Sequence, residues 1–347
     1  MNWLEGSLMS DSQSSRVHRT NAPRLVAKRR VAVVILGLLV LVSVGGALLQ
    51  VVAAAYDRMT VRPPGNIINI AGAGLHVYCS GPDDASPVFL VTGMGVVSDS
   101  WTRVHEDLAQ DHRVCRYDRA GTGHSDPFEG AKDAGAAADR LAVLSEAIGI
   151  EGPMVVAGHS YGGLVARVFA HRYPERVAGL VLVDSAHEEM EERLPPRGRA
   201  MVDDILNPFG ILGLANRFGI LRVVGVPSPL LDGLDGEARR RAAAVYSSVP
   251  HMRAAAEEAA AWRDGTSTQL GQAIDSFGEM PMTVLVADDY PDDLVPHWLA
   301  LHRDLARLSS GGRILVISGS DHFGLIQRPE YATQVAAEIR ALSGTWD

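Results

Sequence analysis

Cysteine is almost absent: Cys79 and Cys115 are the only two in 347 residues. Two thiols cannot build a disulfide-dense scaffold or a four-cysteine zinc site, and they leave room for one bridge at most. H-E-x-x-H and other metal-binding spacings are missing as well, so no metal and no cofactor are expected. The Gly-rich stretch DRAGTGHS (118–125) lacks the G-K-[ST] ending of a phosphate loop. An overall basic excess is lacking too. The formal net charge is −9, which argues against a dedicated nucleic-acid binder. Gly (35) and Pro (18) are too few for a collagen-like or low-complexity chain, and no internal repeat is visible. What the chain does have is a hydrophobic share of 47% against 21% charged. That is enough to build a large core and rules out global disorder. The length suits one large domain or two ordinary ones.

Six Lys and Arg stand against only Glu5 and Asp11 in residues 1–30. This stretch reads as a disordered, basic cytoplasmic tail. The run 31–55 follows, with no charge and Gln50 its only strongly polar residue. As a helix it would span about 37 Å, against roughly 30 Å of hydrocarbon in a bilayer. With the basic cluster before it, the positive-inside rule puts the N-terminus in the cytoplasm and everything after residue 56 outside. A cleaved signal peptide is the alternative, since Ala53-Ala54-Ala55 offers an A-x-A site. A buried core helix is another, but few soluble helices are apolar all round for so long. Residues 56–66 then form a linker.

From residue 67 to the end, short apolar runs alternate with helical stretches. IINIAGAGLHVYCSG reads as two strands joined by a Gly turn. PVFLVTG, RVCRYDRAG, MVVAGHS, VAGLVLVD, MTVLVAD and RILVISG read as six more. Helices are expected over 134–148, 163–172 and 330–342. Continuous apolar strands between helices imply an α/β domain with a mostly parallel sheet covered on both faces. The stretch 187–278 breaks the rhythm and reads as an inserted helical cap, with its clearest helical pattern at 235–263. Within it, 206–231 is apolar enough to suggest a hydrophobic substrate or a membrane-facing lid.

Gly158-His159-Ser160-Tyr161-Gly162 is a G-x-S-x-G between a strand and a helix, the setting a nucleophile elbow requires. So tight a turn needs small flanking residues, and it lifts the Ser160 hydroxyl above a helix N-terminus that favours negative charge. A serine hydroxyl near neutral pH needs a base, itself oriented by an acid. His322 follows the last strand on a Gly/Ser-flanked loop and is the base candidate. His105, His112, His171 and His302 fall in helical or solvated segments.

Taken together, these motifs resemble the α/β-hydrolase superfamily over about residues 67–345. TGMG (92–95) stands where many members carry H-G-x-P. YDRAGTGHSD (117–126) matches D-R-x-G-x-G-x-S, GHSYGG is the elbow, and GSDHFG with the following RPE resembles the terminal His segment. CSG (79–81) with RVCRYDRAG (113–121) resembles a bacterial subgroup of proline-iminopeptidase-like hydrolases. The resemblance implies the α/β-hydrolase fold and an oxyanion hole made by the backbone N–H groups of Met94 and Tyr161. Thr92 replaces the usual His, which should keep the backbone donor and alter the packing beneath it.

The acid stays open. Asp184 ends the strand after the elbow, where some lipases and haloalkane dehalogenases carry theirs. Asp292, in DDYPDDLVP, matches the commoner placement, and Asp288, Asp289 and Asp293 crowd the same loop. The resemblance puts Cys79 and Cys115 on the second and fourth strands, as neighbours. An extracytoplasmic bridge and two buried thiols both remain open, the former disfavoured if the strands are parallel. The expected activity is that of a membrane-anchored serine hydrolase acting on an ester, or less readily an amide, of a small-molecule or lipid-like substrate. A proline-iminopeptidase activity and a catalytically silent binding module are the alternatives. The sequence does not speak to oligomeric state.

Overall fold

The computed structural model describes residues 22–343. Contacts divide the chain at Gly45–Gly46 into two units. One helix, α1 (Ala22–Thr60), enters from the first unit and ends in the second. Residues 28–60 within it are long and apolar enough to cross a membrane.

Two sequence boundaries need correction. The tail expected over 1–30 is already helical from Ala22, because Ala, Arg, Leu and Lys propagate a helix that the apolar run has nucleated. The linker expected from 56 begins only after Thr60, where Arg62, Pro63 and Pro64 end the helix. Residues 1–21 lie outside the described part.

The second unit is built on eight strands: β1 (Asn66–Ile70), β2 (Ala73–Ser80), β3 (Pro87–Val91), β4 (Arg113–Tyr117), β5 (Met154–His159), β6 (Val177–Val183), β7 (Met282–Ala287) and β8 (Gly312–Ile317). Their order is β1-β2-β4-β3-β5-β6-β7-β8. β1, β2 and β4 pair antiparallel, and every other pairing is parallel. This is the α/β-hydrolase fold, and all eight strands fall on the apolar runs read from the sequence.

Helices α2 (Thr102–Leu108), α3 (Ala134–Ala147) and α4 (Tyr161–Arg172) follow β3, β4 and β5. Between β6 and β7 lie α5 (Met190–Arg193), α6 (Pro196–Leu206), α7 (Pro208–Asn216), α8 (Ile220–Val224), α9 (Gly236–Tyr246), α10 (Val249–Arg263) and α11 (Thr266–Gln272). Then α12 (Val295–Arg307) precedes β8, and α13 (Gly324–Gln327) and α14 (Pro329–Ser343) close the domain. Alternation along β3 divides the core. Phe89 and Val91 join Leu141, Val165 and Phe169 on one face, while Val88 and Leu90 join Val104, Leu108 and Ile339 on the other.

The helical pattern at 235–263 is two helices. Ser248 caps α10 by accepting from the His251 N–H, and Pro250 cannot continue a helix from α9. α4 starts at Tyr161, directly behind Ser160, rather than near Gly163.

The pairing of β2 with β4 is antiparallel, not parallel, and sets Cys79 opposite Cys115 with Cα atoms 4.1 Å apart. The two form a disulfide. Direct cross-strand partners in an antiparallel ladder lie within bridging reach, which side-by-side parallel residues do not offer so readily.

Two buried ion pairs tie the cap to the sheet. Arg241 on α9 donates to Asp99 (2.6 Å), just beyond β3, and Glu258 on α10 accepts from Arg119 (2.6 Å), just beyond β4.

Candidate active site

Strand order reverses between β3 and β5, because the chain goes from β3 to β4 on one side and returns to β5 on the other. The carboxyl ends of strands at such a point open a crevice. Into it project the turn after β3 (Thr92–Gly95) and the elbow after β5.

The elbow's shape explains its glycines. A Cβ on Gly158 would sit 2.3 Å from the Gly162 carbonyl oxygen, and one on Gly162 would sit 2.3 Å from that of Val91. Ser160 between them takes φ 54° and ψ −125°, a conformation that non-glycine residues rarely adopt. Its N–H donates to the Val183 carbonyl (3.0 Å), fixing the elbow to the end of β6. Tyr161 begins α4, so its N–H has no acceptor within the helix.

Asp184 directly follows β6 and is also at positive φ (43°). Its carboxylate is fully buried and densely coordinated. Oδ2 lies 2.6 Å from His322 Nδ1 and accepts from the Tyr290 hydroxyl at 2.5 Å. Oδ1 accepts from Trp298 Nε1 (2.8 Å) and from the Ala287 N–H (3.2 Å). Burial alone would raise the pKa of this carboxyl. The hydrogen bond and charge of His322, then His302 and Tyr290, more than offset it and hold the group ionised well below the usual carboxylate range. A carboxylate can only accept, so in the neutral imidazole of His322 the proton sits on Nδ1 and Nε2 keeps its lone pair.

Ser160 and His322 line one pocket of about 120 Å³, whose walls include Met94, Met190, Ile205, Leu206 and Trp262. None of the other candidate acids touches His322. Asp292 is exposed, Asp293 pairs with Arg197, and Asp288 accepts from the Gly319 N–H. The Asp289 N–H donates to the Ser320 carbonyl.

Met94 is buried on the turn after β3 and also lines the pocket. The change at Thr92 has a structural counterpart. Arg119, from the DRAG segment, donates to the Thr92 carbonyl (2.6 Å), the Thr92 hydroxyl (3.1 Å) and the Gly93 carbonyl (2.9 Å). Glu258 holds Arg119 from the other side and accepts from the Gly95 N–H at 3.3 Å. Burial works against the Arg119 charge, and Glu258 more than restores it.

Sequence reasoning missed four neighbours of the site. His159 donates from Nε2 to the His322 carbonyl (2.8 Å), and burial followed by the nearby His322 pushes its pKa down to about 3. Its only sequence signal is the x position inside G-x-S-x-G. Tyr290 sits among the contested loop acids, and Trp298 lies one helical turn into α12. His302, expected to be merely structural or solvated, is buried with Nε2 3.6 Å from Asp184 Oδ1.

A family profile described as alpha/beta hydrolase fold matches residues 86–329. A (lyso)-N-acylphosphatidylethanolamine lipase of Mus musculus is 31% identical over 153 residues, 42% of this chain and 44% of that one. The chain spans half or less of the length of the curated relatives it matches. Among solved structures, a membrane phospholipase A superposes with a TM-score of 0.58 at 21% identity, covering 92% of this chain and 99% of that one. A thermophilic esterase from Thermogutta terrifontis superposes with a TM-score of 0.58 at 23% identity, covering 81% and 99%. At such identities the superpositions establish the fold alone.

Proposed function

Because the chain belongs to the α/β-hydrolase family, we propose that it is a membrane-anchored serine hydrolase cleaving the carboxylic ester of a hydrophobic or lipid-like substrate. One observation carries this reading: Ser160 opens onto the same apolar pocket as His322, whose Nδ1 is held by the buried carboxylate of Asp184. Ser160 attacks the carbonyl carbon while His322 Nε2 takes its proton. The oxyanion forms between the N–H groups of Tyr161 and Met94, and His322 returns the proton to the leaving alcohol. Water, activated by the same imidazole, then releases the acid from the acyl-enzyme. Asp184 keeps the tautomer fixed and balances the imidazolium throughout.

Apolar walls suit an acyl chain, and the lipase relative acts, by its name, on a lipid. Asp184 is the only carboxylate lining the pocket and is already engaged by four donors. Among the described residues no acidic group lining the pocket is left to receive the amine of an N-terminal proline, so the ester reading is favoured over the aminopeptidase one. The basic residues before Val31 support a domain outside the cytoplasm, where the Cys79–Cys115 bridge can persist.

The test is labelling by a fluorophosphonate probe, followed by a panel of p-nitrophenyl esters beside Pro-arylamides. Stoichiometric labelling lost in Ser160→Ala, with turnover confined to esters, is the expected result. An unlabelled, folded protein would make it a binding module, and turnover of the arylamides would make it an aminopeptidase. A C-terminal phosphatase fusion should report an extracytoplasmic domain, and an inactive fusion would reverse the topology.

A further inference from the structure

Large apolar side chains exposed outside α1 are not scattered evenly. Among the described residues, Ile67, Val143 and Val316 stand alone, and all the rest lie between 205 and 224. Ile211, Val223 and Val224 are 73%, 74% and 71% exposed, with Leu214, Phe218 and Ile220 beside them. α7 is apolar on both sides, since Phe209 and Leu212 face inward onto the cluster of Val97 and Met252. A helix apolar all round is at home inside a core or in lipid, and this one is not inside the core. So much contiguous apolar surface marks an interaction site.

The occupant follows from what the patch adjoins. Gly219 and Gly46 meet backbone to backbone: a Cβ on Gly46 would lie 2.5 Å from the Phe218 carbonyl oxygen. Gln50 accepts from Arg222 Nε (2.8 Å) and donates to the Ser247 carbonyl (3.0 Å). The patch therefore lies against the C-terminal end of the apolar run 31–55, whose Leu48, Val51 and Val52 are themselves exposed. Segment 208–226 contains no carboxylate, and Arg217 and Arg222 are its only charges. Arg222 is paired with Asp57 at 2.7 Å. Exposed Arg217 has a stem long enough to carry its guanidinium to headgroup phosphates.

We infer that cap segment 208–226 is a second membrane contact, immersed in the bilayer beside the end of α1, and that the ester reaching Ser160 comes from that bilayer. This rests on reading α1 as a membrane helix. α6 supplies the pocket wall through Val202, Ile205 and Leu206 and passes through Asn207 directly into α7. Pocket wall and lipid face are consecutive turns of one chain segment.

The full chain, its native cysteines bridged, is given one added thiol at a time by Val223→Cys, Leu41→Cys or Val143→Cys. Each variant is labelled with an environment-sensitive nitrobenzoxadiazole dye and reconstituted in phosphatidylcholine vesicles carrying doxyl-labelled lipid. Quenching at 223 and 41, with none at 143, is the expected result. Quenching at 41 without 223 overturns the second contact while leaving the anchor intact, and quenching at neither overturns both. A blue-shifted but unquenched label at 223 that responds to protein concentration would give the patch to a second copy of the chain, and would also overturn it. Independently, Val223→Glu with Val224→Glu should lower the rate on a vesicle-embedded ester by about tenfold or more and leave a soluble short-chain ester unaffected. Equal rates on both substrates would mean that the patch plays no part in substrate delivery.

Discussion

Ser160 and Asp184 leave adjacent strands at positive φ, 54° and 43°. Each is pinned by a main-chain hydrogen bond to the next strand over, Ser160 to Val183 and Asp184 to Leu285 (2.7 Å). Sheet pairing thus holds both side chains above the carboxyl edge, at a conformational cost of about 1–3 kcal/mol for each.

That cost separates two substitutions at Ser160. Ser160→Ala keeps the strained Cβ and should lose turnover by about 10⁶. Ser160→Gly should be equally inactive, yet more stable than the alanine variant by about 1 kcal/mol, because glycine accepts positive φ freely. Denaturant midpoints of the two proteins check the order, and a less stable glycine variant would contradict it.

Replacing the carboxylate of Asp184 by the isosteric amide should lower kcat by about 10⁴, since the amide cannot fix the His322 tautomer or balance its charge. Asp292→Asn, at an exposed position, should change kcat by less than about twofold. Steady-state kinetics on one soluble ester compare them. The opposite ranking would place the acid in the loop after β7.

Acid should destabilise the fold before its carboxylates titrate. Burial holds His105 and His159 near pKa 3, and His187 and His251 near 4. Their unfolded counterparts titrate near 6.5. Between those values the unfolded chain binds protons that the folded one refuses, so stability falls as pH drops from about 6.5 towards 4. His76 runs the other way. Burial lowers its pKa, but the bond and charge of Asp118 outweigh this and raise it, so its contribution is present below 6.5 and lost as pH rises through the raised value. His105→Gln keeps an acceptor for the Ser80 hydroxyl and removes one titrating group. Its Tm should decline less steeply across this window than that of the parent, and an identical slope would contradict the assignment.

Reduction of the bridge between Cys79 and Cys115, 36 residues apart, should cost about 2–4 kcal/mol by enlarging the unfolded ensemble. Neither β2 nor β4 carries Ser160, His322 or Asp184, so Cys79→Ala with Cys115→Ala should hydrolyse a soluble ester at an unchanged rate when folded. Guanidinium unfolding with and without reductant measures the first effect. A loss of activity at full folding would contradict the second.

Strands were the most legible part of this chain, because each is a short apolar run closed by Gly, Asp or a turn. Ser160 and His322 were legible as candidates because the chemistry proposed for them imposes local punctuation: glycines around the one, a Gly/Ser loop around the other. Asp184 was ambiguous for the opposite reason. Its partners His322, Tyr290 and Trp298 are more than a hundred residues away in sequence, and only the sheet brings them together. The antiparallel sense of β2 against β4 was likewise invisible, being a property of topology rather than of either strand. The break at Ser248 was readable from Val249-Pro250 but was masked by the helical pattern on both sides of it.

The two ion pairs under the cap bear on how the enzyme behaves in time. Swinging α9 and α10 away from the sheet would have to separate Arg241 from Asp99 and Glu258 from Arg119, two short, buried pairs that now hold these helices down. That half of the cap is a fixed wall rather than a door. Substrate entry is therefore not expected to wait on a displacement of α9 or α10, and progress curves should start without a lag from that motion. On a soluble, monomeric ester the rate should also climb smoothly with substrate concentration.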